Sequence, residues 1–474
     1  MGGGLLQLVA YGAQDAYLSG NPQITFWKGL FKRHTNFAME PFRINLTGTQ
    51  AWGTKQSAII GRHADLLYST YLEVVVPSFA SDGSSLQLWN DDQSFLGFNL
   101  IKYVELEIGG QLIDRLYGEW LMLWNTLSST TSNLEMLKHM SSPMTFSTLT
   151  TNASGGSDYV GTFPLGFGCK PGFNRPSNSN TLYVPLSFFY TRNPGAALPL
   201  IALQYHEVKI NILWNAASLV TGDYVNPIYK NPPPLTSAAI YIDYIYLDVE
   251  ERRRMAQESH EYLIEQTQYN EDKGLSASSN RIDLTFNHPV KELVWVVQPS
   301  NYTNCKAPVF DALNLWNTYL SPLTSAPPRP VVGDMDVDLG QTYSSYGSGH
   351  GRLTPFTYDA DVVQSQRIQI NGQDRLDARS GSYFNKVQPY QHHSGTVKNY
   401  PGIYMYSFAL KPEEHQPSGT CNFSRVDTAT LVLDFSGDYI VDPERDAIWD
   451  IRVYAVNYNI LRIMSGMAGL AYSN

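Results

Sequence analysis

Residues 104–115 constrain the fold more than any other stretch. Val104, Leu106 and Ile108 alternate with Glu105 and Glu107, the period of a half-buried strand. Gly109-Gly110 follows and supplies two residues tolerant of positive φ, which a tight two-residue hairpin requires. The chain repeats the device at Arg367-Ile368-Gln369-Ile370-Asn371-Gly372-Gln373-Asp374-Arg375, with Asn-Gly as the turn. Both turns follow Ile and precede Gln, with Asp-Arg after two intervening residues in the first and directly after Gln in the second. One such hairpin is unremarkable; two with shared flanks predict a duplicated domain, with Gly109, Gly110, Asn371 and Gly372 as equivalent points.

Two further anchors agree. The run around Glu73 resembles that around Glu292, and Ser187-Phe188 resembles Ser407-Phe408, each pair about 220 positions apart. The hairpins lie about 260 positions apart, so each copy carries an insertion of about 40 residues at a different place. The first insertion falls within about 128–180, rich in Ser, Thr, Asn and Gly, and the second within about 298–361. Surface loops tolerate such insertions.

The expected organisation is an N-terminal arm (1–26), a first jelly roll (27–222), a Pro-rich linker (223–237) and a second jelly roll (238–474). The linker holds Pro232-Pro233-Pro234, a semi-rigid spacer. Residues 239–248, apolar or aromatic on both faces, are expected to open the second jelly roll, and residues 449–458 to form its closing, alternating strand. Trp120, Leu121, Trp124 and Leu127 recur at helical spacing and predict one short helix packed on the sheet. Leu5, Leu8 and Val9 suit one side of a short helix in an arm that orders against a neighbour. Many aromatics (13%), 36 Gly and 27 Pro with only 16% charged residues favour strands and loops. The fold class is therefore all-β: a double jelly roll, two eight-stranded antiparallel sandwiches in one chain, with short helices in loops. So few charges leave exterior surface to be covered by other subunits.

Net charge is −10, which argues against direct binding to nucleic acid. Arg252-Arg253-Arg254 follows Glu250-Glu251 and reads as a neutralised surface cluster. Cys169, Cys305 and Cys421 are scattered and odd in number, so neither a disulfide framework nor a zinc site is expected. No apolar run approaches the length of a membrane span, and the N-terminus shows no secretory signal. Met1-Gly2 lacks the Ser or Thr that myristoylation requires at position 6.

Chemical motifs fail one by one. His260-Glu261 opens like a zinc-protease helix, but Ile264 stands where the second His is needed. Asp334, Asp336 and Asp338 mimic a calcium loop whose later Gly and Glu are Leu339 and Ser345. His392-His393 reads as a surface dipeptide without flanking ligands, and residues 347–351 as a flexible Gly-rich loop. No catalytic, cofactor or metal constellation is present, so no enzyme activity is expected. Of the glycosylation triplets, Asn152 and Asn301 are kept in view because they lie in or beside the two insertions.

Several long words of the sequence resemble the major capsid protein of nucleocytoplasmic large double-stranded DNA viruses, nearest its algal-virus branch. They are residues 8–15 with 20–26, residues 33–38, 199–208, 381–390 and 459–467. The similarity runs along the whole chain and weakens in the two insertions. It implies paired sandwiches in a homotrimer, a pseudo-hexagonal capsomer that tiles an icosahedral shell with neighbouring capsomers over an internal membrane. It implies a late, structural protein of the virion, assembled in the host cytoplasm. Residues 1–26 would meet minor capsid proteins or the inner membrane, and the insertions would point outward. The alternative is an attachment protein that binds a host receptor or glycan through those outward loops.

Overall fold

A computed structural model of the chain describes residues 9–27, 29, 31–76, 87–89, 95–141, 150–151, 157–158, 180–216, 221–223, 234–299, 363–395, 402–435 and 448–472. They form two antiparallel β-sandwiches, a double jelly roll. In the first, sheet I runs Ala38–Asn45, Ser237–Tyr246, Leu66–Val76, and then Asn180–Pro185 with the short Leu198–Pro199. Sheet II runs Lys55–Ile60, Val208–Trp214, Ile101–Ile108, Gln111–Tyr117.

The second sandwich has the same order. Sheet III runs His260–Leu275, Trp449–Met464, Pro289–Pro299, and then Ile403–Ser407 with the short Cys421–Asn422. Met467–Leu470 adds a hairpin return beside Trp449–Met464. Sheet IV runs Ser279–Asp283, Ala429–Phe435, Val363–Ile370, Gln373–Asp374.

One expectation is corrected here. Strand Ser237–Tyr246 does not open the second jelly roll; it closes the first, between Ala38–Asn45 and Leu66–Val76, with Ile240 opposite both Ile44 and Leu72. A strand apolar on both faces announces a sandwich interior but not whose, because its partners lie far away in sequence. The boundary instead falls at helix Val249–Gln257. That helix carries the predicted neutralised cluster: Arg252 meets Asp65 at 3.0 Å, Arg253 meets Glu250 at 3.7 Å and Arg254 meets Glu258 at 3.1 Å. The arm also reaches further than expected, since the first strand starts at Ala38 and every described residue from Val9 to Phe37 is exposed.

Both twin turns join the third and fourth strands of their sheets. Gly109 and Gly110 have φ of 59° and 82°, Asn371 and Gly372 of 51° and 73°, so both central residues of each turn are left-handed, as tight hairpins require. Gly109 N–H donates to the Glu207 carbonyl at 2.9 Å, and Asn371 N–H to that of Thr428 at 2.8 Å. A side chain on Gly109 would collide with the His206 ring, so only Gly fits the first turn. Asn371 uses its amide oxygen to accept from Asp427 and Thr428 N–H.

Register gives the molecule two distinct ends. Ala38 pairs with Tyr246, and Ile108 with Val208, so the arm and the Gly109–Gly110 turn share one end. Strands leading into residues 77–86, 217–220, 300–362 and 436–447 leave from the opposite end. Asn152 and Asn301, most of both inferred insertions, the Asp334–Asp338 run, Gly347–Gly351, Cys169 and Cys305 lie outside the described residues.

Candidate functional site: the seam between the sandwiches

The helix predicted from the Trp120–Leu127 stripe is present as Gly118–Ser128, directly after the first hairpin. Trp120, Leu121, Trp124 and Leu127 are all buried. They are covered only partly by their own sandwich; the rest of the cover is the outer face of sheet III. Val294, Val296, Ile403, Met405, Tyr454 and Val456 of that face belong to the same apolar cluster as the first sandwich's core. Their neighbours Leu293, Trp295, Val453 and Ala455 point the other way, into the second core. This corrects the expected alternation at the C-terminal strand: Trp449–Tyr458 is buried on both faces because two sandwiches share it. Apolar burial of this kind stabilises by roughly 25 cal/mol per Å².

Polar groups fix the register of the seam. The Gln266 amide donates to the Ile113 carbonyl, and Thr267 N–H donates to Asp114 Oδ1 at 3.1 Å. Glu119 takes a two-point contact from Arg452, at 2.6 and 2.8 Å, and a third bond from the Tyr454 hydroxyl at 2.6 Å. Tyr117 stacks on Tyr269 at 4.3 Å. Glu265 receives Arg192 at 2.8 Å and Lys291 at 2.6 Å; Lys291, wholly buried, also donates to the Pro412 carbonyl at 2.6 Å. Arg192 lies over the Trp124 ring at 4.2 Å. Burial alone would raise the Glu265 carboxyl; the charges of Lys291 and Arg192 outweigh it and hold the group below its ordinary value.

His393 is a second correction. Its side chain is not on the surface but wholly buried, bridging Glu292 through Nε2 and Glu413 through Nδ1, each at 2.9 Å. Burial pushes its pKa down, but the two carboxylates prevail and raise it to about 9, so the ring is an imidazolium at neutral pH. Arg192, Lys291 and protonated His393 then balance Glu265, Glu292 and Glu413. The next residues clip onto the first sandwich: Gly395 N–H donates to the Leu127 carbonyl at 2.7 Å, where a side chain would not fit, and Ser394 Oγ donates to that of Ser128 at 3.2 Å.

At the hairpin end the C-terminal return reaches the first twin turn. Tyr205 N–H donates to the Gly466 carbonyl at 3.0 Å, Ala468 N–H to His206 Nδ1 at 3.1 Å, and Leu470 N–H to Gln111 Oε1 at 3.3 Å. Thus the first twin turn and its flanks lie at the seam. The second turn has no such covering among the described residues, and Gln373, Asp374 and Arg375 are exposed.

Sequence reasoning missed Asp114, Glu119, Glu265, Lys291, Glu292, His393 and Arg452. A signal existed for most of them: each charge sits within or beside an apolar run, where an unpaired ion would be costly. Among the described residues no cluster of His, Cys, Asp or Glu could hold a metal ion, and His260 stands on a strand rather than a helix. Among the described residues no helix is long and apolar enough to cross a membrane. Arrangements of this kind hold parts in register.

Two family models match successive parts of the chain. Residues 25–248 match "Major capsid protein N-terminus" and residues 251–469 match "Large eukaryotic DNA virus major capsid protein". The division falls at helix Val249–Gln257. The chain is 42% identical to the major capsid protein of Phaeocystis pouchetii virus and 42% identical to that of Pyramimonas orientalis virus, covering 100% of both chains in each case. A quasi-atomic model of the PBCV-1 virus capsid superposes with a TM-score of 0.67 at 33% identity, covering 95% of this chain and 100% of that one. The duplicated sandwiches, their shared seam and these matches agree: the chain belongs to the major capsid protein family of large eukaryotic DNA viruses.

Proposed function

We propose that the chain, a structural protein of an icosahedral virus shell, works as a homotrimer whose six sandwiches form a pseudo-hexagonal block, and that such blocks tile the shell against neighbouring capsomers. The observation that carries the trimer is the repeat of strand order between the sandwiches, joined by a seam whose register is fixed by paired polar groups. Two like sandwiches held at one fixed angle turn a threefold assembly into a near-sixfold one. The twin turns Gly109–Gly110 and Asn371–Gly372 are equivalent points of that repeat, supported by their matching backbone bonds.

The two ends take different roles. The arm leaves the hairpin end with Phe26, Trp27 and Phe31 at least 90% exposed, an apolar load suited to minor capsid proteins or an inner membrane. The opposite end, from which the strand leading into the second insertion leaves, faces outward, and a host receptor would meet the shell at that end. Asn152 and Asn301 are the glycosylation candidates. Assembly in the host cytoplasm is consistent with the scattered cysteines.

Sizing with light scattering tests the capsomer. Three times the chain mass is expected; a stable monomer at micromolar concentration would overturn it.

A further inference from the structure

The seam within one chain has a donor side and a receiving side, and the repeat supplies a second, uncovered example of each. On the donor side, Gly118 follows the first hairpin, and a side chain there would strike the Ile101 carbonyl. Gly381 follows the second hairpin, and a side chain there would strike the Val363 carbonyl. Ile101 and Val363 each open the strand before their hairpin, so the glycines are counterparts. Six and nine residues on from these glycines stand Trp124 and Leu127 in the first segment, and Val387 and Tyr390 in the second. The first pair is buried in the seam; Val387 is 39% exposed and Tyr390 86% exposed. The segment that carries them is a π-helical turn, Tyr383–Val387, running into helix Gln388–His392.

The receiving side repeats as well. Leu72 and Leu293 point into their own cores and pair with Ile240 and Ala455. One residue on, Glu73 and Val294 face outward, beside Tyr183 and Met405 on the next strand. Tyr241 matches Val456 in the same way. In sheet III this face is buried beneath the first sandwich. In sheet I it is a half-exposed tyrosine face: Tyr71 stacks on Tyr241 at 5.4 Å and meets Tyr183 edge-on at 6.1 Å. Tyrosine is enriched where surfaces associate, because its ring supplies area at small entropic cost.

We propose that the tyrosine face of sheet I receives the Tyr390 helix from a second copy of this chain, so that the contact between copies repeats the contact within one. The charges agree, since exposed Arg375 and Arg379 flank the donor helix, while Asp243 and Glu73, the latter 3.8 Å from Arg43, leave the tyrosine face net acidic. The contact is heterologous, one kind of surface on each partner, and it closes into a ring only if the rotation per copy does. The inference rests on the capsomer reading for that closure, but it names the surfaces independently.

Two variants test it. Tyr390→Asp places an anion against the acidic tyrosine face, and Tyr183→Lys places a cation against the basic helix end. Each alone is expected to reduce the light-scattering mass from three chains to one, with unchanged far-UV circular dichroism. Mixed in equal amounts, they retain one intact surface each, the helix on Tyr183→Lys and the tyrosine face on Tyr390→Asp, and heterodimers are expected. Trimers from either folded variant, or no association in the mixture, would show that these faces do not meet and would overturn the assignment while the capsomer stands. A monomeric wild-type chain would remove both.

Discussion

Arg452 and Glu119 are 333 residues apart in sequence and form a two-point ion pair, 2.6 and 2.8 Å, between the last strand of the second sandwich and the first turn of the helix in the first. Each neutralises a charge that the other sandwich's apolar surface would otherwise strand.

Removing one partner leaves the other buried and uncompensated. Arg452→Leu is expected to cost roughly 3–5 kcal/mol, whereas the double variant Glu119→Leu with Arg452→Leu recovers much of that loss. Chemical denaturation of the four proteins of this cycle measures the difference. A double-variant cost equal to the sum of the two single-variant costs would show that the pair does not act as a unit.

His393 sets an alkaline limit. Its folded pKa of about 9 lies above its ordinary 6.5. Such a group contributes stability fully below the unfolded value and loses it as pH rises through the folded one. The loss between pH 6.5 and 9 should be on the order of 3 kcal/mol. In His393→Gln that pH dependence is expected to vanish from urea titrations; a profile as steep as wild type would refute the assignment.

Asp114 acts in the opposite pH range. Burial raises its carboxyl to about 7, and the N–H groups of Thr267 and Arg115 with the charge of Arg192 offset this only in part. A raised carboxyl means that the folded chain holds the proton more tightly than the unfolded chain. Stability is therefore highest below about pH 4 for this group and falls as pH rises toward 7, by on the order of 4 kcal/mol. Asp114→Asn keeps an acceptor for both N–H groups, so it should be more stable than wild type at pH 8 and no better at pH 4. Thermal melts at the two pH values decide this.

The arm contributes little to the fold. Its short helix, Asp15–Ser19, buries no residue, and the described apolar side chains among residues 9–31 are exposed. Deleting residues 1–26 is expected to change unfolding free energy by less than about 0.5 kcal/mol and to leave trimers intact. Particle assembly should fail. Normal particles from the truncated chain would remove the arm from the account.

Much of the fold was legible because its signals are local. Alternation revealed strands, Gly-Gly and Asn-Gly revealed the hairpins, and the Trp120–Leu127 spacing revealed the helix. The sandwich that owns Ser237–Tyr246 was not legible, since its partners are some 170 to 200 positions back along the chain and no local pattern encodes them. His393 was misplaced for a related reason: the carboxylates around it come from positions 292 and 413.

The amino-acid sequence by itself determined that this is a duplicated all-β chain, because turn chemistry and side-chain period act over a few residues. Only the tertiary structure decided that the two copies share a core and a balanced set of buried charges. That depends on which distant surfaces exclude water together, and exclusion is a property of the packed chain.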